Sequence, residues 1–135
     1  MNQVKAAAAT LAIALCFSAA AFGAASSMAT ASHSGGGVTV KATYHTPQPP
    51  NELRFEVQLD THSVNLDGYD LQNLALLRDA GGKTYRPVNV EAKGSGHHRD
   101  AVVVFPQPPG GPQHVELVIK DIGGVNERIL RFQIS

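Results

Sequence analysis

Leu53-Arg54-Phe55-Glu56-Val57-Gln58-Leu59-Asp60 alternates apolar and polar side chains without a break. In an extended chain successive side chains point to opposite faces. The stretch therefore turns Leu53, Phe55, Val57 and Leu59 to one side and charges or amides to the other, which predicts a half-buried strand. The same period precedes it, where Val38, Val40, Ala42 and Tyr44 alternate with Thr39, Lys41 and Thr43. Between the two lies 46–51, whose Pro47, Pro49 and Pro50 cannot enter a central sheet, so it forms a loop.

Downstream the phase slips. Val64 and Leu66 are even-numbered where Leu53, Phe55, Val57 and Leu59 are odd. A one-residue slip turns side chains to the opposite face, so a bulge or bend is expected near Asp60-Thr61-His62-Ser63. Asp67-Gly68 signals a turn, and Leu71 with Leu74 fits a short helical turn before a strand at Leu76-Leu77. Asp79-Ala80-Gly81-Gly82-Lys83 is a tight loop. Thr84 to Ala92 is expected to return as one strand, with Pro87 placing it at an edge or a bulge. A polar loop over 93–100 leads to an apolar run from Ala101 to Phe105. Pro106 to Pro112 is a loop. Val115, Leu117 and Ile119, then Leu130, Phe132 and Ile134, mark two last strands.

About seven short strands, turn chemistry between them and no long helix predict an all-β fold: a single antiparallel β-sandwich of immunoglobulin-like size over 38–135. A small barrel is the alternative. Trp is absent, so the Cys…Trp…Cys core of antibody domains is excluded.

The N-terminus is of another kind. Lys5 precedes an apolar run over 6–22, and small residues follow through Gly23-Ala24-Ala25-Ser26-Ser27. That order predicts a secretory signal peptide over 1–25, with cleavage between 25 and 32, and a flexible leader over 26–37. The run is at the short limit for spanning a hydrocarbon core of about 30 Å, and no charges flank it to stop transfer. Leu15, not a small residue, precedes Cys16, which argues against lipidation. Cys16 is the only cysteine, so the mature domain is expected to have no disulfide although it is exported to the periplasm or beyond. Without Lys5, ten basic side chains face eleven acidic ones. With no basic stripe, nucleic acid and an anionic membrane surface are not expected as partners.

The chain carries six histidines. His62 sits at the phase slip, and His97-His98 lies in the loop before a strand. One reading is a metal site formed by His62, His97 and His98, with Asp60 or Asp100 orienting a ring or supplying an oxygen. A divalent transition metal would be its only cofactor. Against it, neighbours on an extended chain point opposite ways, and no HxH, HExxH or CxxC spacing occurs. The only methionines are Met1 and Met28, which excludes a Met-rich copper(I) carrier. The other reading is that His62, His97, His98 and Arg99 hold loops by bonding free backbone carbonyls. No GxSxG elbow, calcium loop or paired carboxylates are evident, so a hydrolase is the least supported class.

The segments Phe55 to Val64, Gly68-Tyr69-Asp70-Leu71, Leu76 to Asp79, Tyr85-Arg86-Pro87, Gly96-His97-His98-Arg99 and Val102 to Pro106 resemble a group of small exported bacterial domains. The resemblance covers most of the chain after residue 37. It implies a secreted immunoglobulin-like sandwich and implies no activity. The expected function is an exported, non-enzymatic binding or interaction module. Its partner would be another exported protein taken up along an edge strand, with Thr84 to Ala92 as the candidate edge. The alternatives are a periplasmic transition-metal-binding protein using the histidines and, behind it, a hydrolase.

Overall fold

The computed structural model describes residues 27–134. The expected signal peptide over 1–25, including Cys16, lies outside the described residues. The described residues form two antiparallel sheets. One joins β1 (Ser27–Gly35), β2 (Val38–Thr46), β3 (Glu52–Thr61), β7 (His98–Pro106) and β6 (Asn89–Ser95), in the order β1-β2-β3-β7-β6. The other joins β5 (Thr84–Tyr85), β4 (Ala75–Arg78), β8 (His114–Ile122) and β9 (Val125–Gln133), in the order β5-β4-β8-β9. A four-residue helix, α1 (Leu71–Leu74), precedes β4. The sheets are separate, so the sandwich reading holds and the barrel does not. Taken without β1, the strand order is that of an immunoglobulin-type sandwich, four strands on one side and three plus a short edge strand on the other.

β3 keeps strict alternation along its whole length, and the core follows from it. Leu53, Phe55, Val57 and Leu59 are all buried, while Arg54, Glu56, Gln58 and Asp60 face solvent. Phe55 is the hub. Its ring lies 5.3 Å from Tyr44, 6.0 Å from Phe105 and 5.1 Å from Phe132, centroid to centroid. Tyr44 and Phe105 belong to its own sheet and Phe132 to the other, so one aromatic cluster ties the layers together.

Two expectations are corrected. Within the expected flexible leader over 26–37, Ser27–Gly35 is instead strand β1, paired with β2 from Ser27↔Thr46 to Gly35↔Val38. Its inward residues Ala29, Ala31, His33 and Gly35 are mostly small, which lets it lie along β9 of the other sheet. Thr84 to Ala92 is not one strand. Thr84–Tyr85 pairs with β4, Asn89–Ser95 pairs with β7, and the chain crosses between sheets at Pro87, which is buried. Proline has no N–H to give a ladder, so the crossing falls where no bond is lost. These changes raise the expected seven strands to nine.

The phase slip is a bend. β3 ends at Thr61, whose side chain is buried and donates from Oγ1 to the Gly37 carbonyl at 2.6 Å. The same oxygen accepts from Ser63 N and Val64 N at 3.2 and 3.1 Å, which turns the chain sharply. α1 forms as expected, with Asp70 as N-cap accepting from Gln72 N at 3.0 Å. The 79–83 loop is wound around Asp79, whose carboxylate accepts from Gly81 N, Lys83 N and the Tyr85 hydroxyl, each at 3.0 Å. Desolvation pulls its pKa upward, but these hydrogen bonds and the Lys83 charge outweigh it, so Asp79 titrates below the ordinary carboxylate value.

Arg128 is the largest fully buried side chain, at 0% exposure. On β9 it shares the even-numbered inward phase of Leu130 and Phe132. Its guanidinium donates to Ile122 O and to Gly35 O, both at 2.7 Å. It thereby joins the β1–β2 turn to the β8–β9 turn. There Gly36 has φ +59° and sits so close to Gly123 that an added Cβ would fall 1.8 Å from its carbonyl oxygen. Only glycine fits. Burial lowers the proton affinity of Arg128, and the nearby Tyr69 hydroxyl, which accepts from Gly123 N at 3.1 Å, acts in the opposite direction.

Phe55→Ala is expected to cost about 3–5 kcal/mol in equilibrium urea unfolding, because the emptied site touches three packed rings and collapses little. Arg128→Met keeps an apolar stem but strands two carbonyls, and the same measurement is expected to show a loss of about 2–4 kcal/mol.

Candidate functional site

Antiparallel register sets the outer face of the five-stranded sheet. β3 and β7 pair Glu56↔Val102, Gln58↔Asp100 and Asp60↔His98, and β7 and β6 continue these rows as Val102↔Glu91, Asp100↔Lys93 and His98↔Ser95. Residues directly opposite share a face, so the polar phase of β3 becomes a polar platform that ends at β6. A groove of about 190 Å³ crosses it, lined by Glu56, Gln58, Glu91, Lys93, Asp100 and Val102 among others. A second, of about 250 Å³, runs past Gln58, Asp60, His98 and Asp100.

The histidines expected to form a metal site lie at one end of the sandwich. His62 follows the end of β3, His97 precedes β7 and His98 begins it. The loops there are tied together, with Thr61 N donating to His97 O at 3.1 Å and Leu66 N to Gly96 O at 2.9 Å. Of the expected side chains, Asp60 and His98 meet, Oδ1 to Nδ1 at 2.7 Å. Both are exposed, at 55% and 74%, so the pair contributes about 0–1 kcal/mol. Asp100 lies one row along on the same face, opposite Lys93. His62 and His97 do not complete a donor set: among the described residues no group of three or more His, Cys, Asp or Glu side chains is placed to hold a metal ion.

The loop-holding role falls to residues other than the expected histidine rings. Arg99 donates from Nη1 to the carbonyls of Leu66 and Tyr69, at 2.7 and 2.6 Å. Asp67 accepts from Gly96 N at 2.7 Å. Arg99 carries out the loop-holding expected of it in the sequence, while the contribution of Asp67 comes from a turn read only as punctuation.

The edges of the two sheets are unequal. On one side β1 and β9 lie against each other and close the sandwich. On the other, β6 ends the five-stranded sheet and pairs with no strand beyond β7 among the described residues, with α1 near its start. Every β6 residue except Val90 is exposed, and Val88, just before it, is 60% exposed. The expected edge is therefore real over Asn89–Ser95, while Thr84–Tyr85 belongs to the other sheet.

A ligand that binds only the folded state raises the melting temperature. Because the donor set is incomplete, zinc, copper(II) and nickel are each expected to leave the melt unchanged, and the triple variant His62→Ala, His97→Ala, His98→Ala is expected to behave the same. A rise in the parent protein that the triple variant loses would restore the metal reading. Comparison of the chain with protein families, with curated proteins and with solved structures gave no match in any of the three.

Proposed function

We propose that the protein is an exported, non-catalytic interaction module that binds an extended segment of another exported chain along β6. The observation that carries this reading is the open, exposed edge of the five-stranded sheet at β6. Such an edge presents a row of main-chain donors and acceptors, which an added strand satisfies. The platform beside it, with Glu91, Lys93, Asp100 and Val102, offers alternate side-chain contacts to that strand.

One further observation supports the non-catalytic part. The grooves hold about 190–250 Å³, below the roughly 300–1,000 Å³ usual for small-molecule sites. Export rests on the N-terminal pattern. Cleavage after Ala25 leaves β1 whole, whereas cleavage after Ala29 removes its first three residues.

A photoreactive side chain at Glu91 tests the proposal in intact cells. It is expected to give an adduct with an exported chain, while the same group at Arg131, on the outer face of the other sheet, gives none. Adduct yield is expected to be unchanged by a chelator, which separates this reading from metal-dependent binding. Equal labelling from Arg131, or no adduct from Glu91, defeats it.

A further inference from the structure

We infer that the chain bound along β6 is a second copy of this protein, held by antiparallel β6–β6 pairing about a two-fold axis at Ala92. The inference rests on the reading of β6 as the docking edge and names its occupant.

The sequence of β6 is Asn89-Val90-Glu91-Ala92-Lys93-Gly94-Ser95. Register with β7 puts Asn89, Glu91, Lys93 and Ser95 on the outer face and Val90, Ala92 and Gly94 on the inner one. Two-fold pairing about Ala92 sets Glu91 of each copy opposite Lys93 of the other. Asn89 then faces Ser95, Val90 faces Gly94 and Ala92 faces Ala92. Both charges find an opposite partner twice, on the same face of the joined sheet. The branched Val90 meets a residue with no side chain. Gly94 is fixed by its own sheet, since its φ is +83° and an added Cβ would lie 2.5 Å from His98 O.

The neighbouring registers fail. Pairing must shift by two residues to keep the faces matched, because a shift of one turns the inner face of one copy outward. A two-residue shift of register moves the axis by one residue, which sets Glu91 against Glu91 one way and Lys93 against Lys93 the other. Like charges directly opposite are destabilising. Of the three registers centred on Glu91, Ala92 and Lys93, the charges thus favour the one at Ala92. The contact is isologous and closes at two copies, so it extends the five-stranded sheet across the axis and leads to no fibre.

The test is a charge exchange read by light scattering and sedimentation equilibrium on the protein as exported. Wild type is expected to dimerise at concentrations up to about 1 mM, which reaches associations as weak as a Kd of about 1 mM. E91K and K93E each place two like pairs across the axis and are expected to weaken association about tenfold or more. An equimolar mixture of the two restores opposite charges and is expected to give the heterodimer, and the double variant E91K/K93E is expected to dimerise like wild type. Both positions are exposed, and a thermal melt of each variant confirms folding. A wild type that stays monomeric, or a dimer indifferent to the exchange, overturns the inference. In either case a Glu91 adduct with a different exported protein leaves the docking edge standing, and no adduct at all removes both.

Discussion

A guanidinium buried without a carboxylate must find its partners in the backbone, and Arg128 finds them in two hairpins at once. Its bonds to Gly35 O and Ile122 O fix the turn between β1 and β2 against the turn between β8 and β9. The two turns belong to opposite sheets. A sandwich is two layers held by apolar packing, which is strong but has little directionality. The aromatic cluster around Phe55 presses the layers together, and Arg128 sets how they meet at one end. The close approach of Gly36 to Gly123 is the steric counterpart of that bond. Charge-assisted bonds from both Nη atoms reduce the cost of burying the charge, while Nε has no partner, and because removing the side chain strands two carbonyls the position resists substitution.

The fold was legible where side chains alternate against a core. β3 declared itself because every second residue from Leu53 to Leu59 is buried. β1 was not legible because Ser27–Gly35 buries little: its inward positions are two alanines, a histidine and a glycine, and it pairs with β2 along its whole length. A strand held by its ladder leaves no hydrophobic trace in the sequence. Thr84 to Ala92 read as continuous because Tyr85, Val88 and Val90 are apolar, yet the sheet changes at Pro87 within it.

The polar site divides in the same way. That the phase slip and the histidine loop share one end follows from strand order and could be anticipated. Which side chains meet there depends on register. Asp60 and His98 are 38 positions apart and touch because β3 and β7 align them. Arg128 did leave a signal, since it keeps the phase of Leu130 and Phe132, but a charged residue in that phase reads first as a break in the pattern.

The attachment of β1 has a consequence for how the domain opens. Gly35 is clamped by Arg128 at one end of the strand, while Ser27 to Thr30 at the other are exposed. Local opening follows the weakest contacts. β1 therefore peels from Ser27 toward Gly35, like a zipper with one sewn end. Its travel stops at the guanidinium, and the first core position it uncovers is Tyr44, opposite Ala29, at the rim of the aromatic cluster.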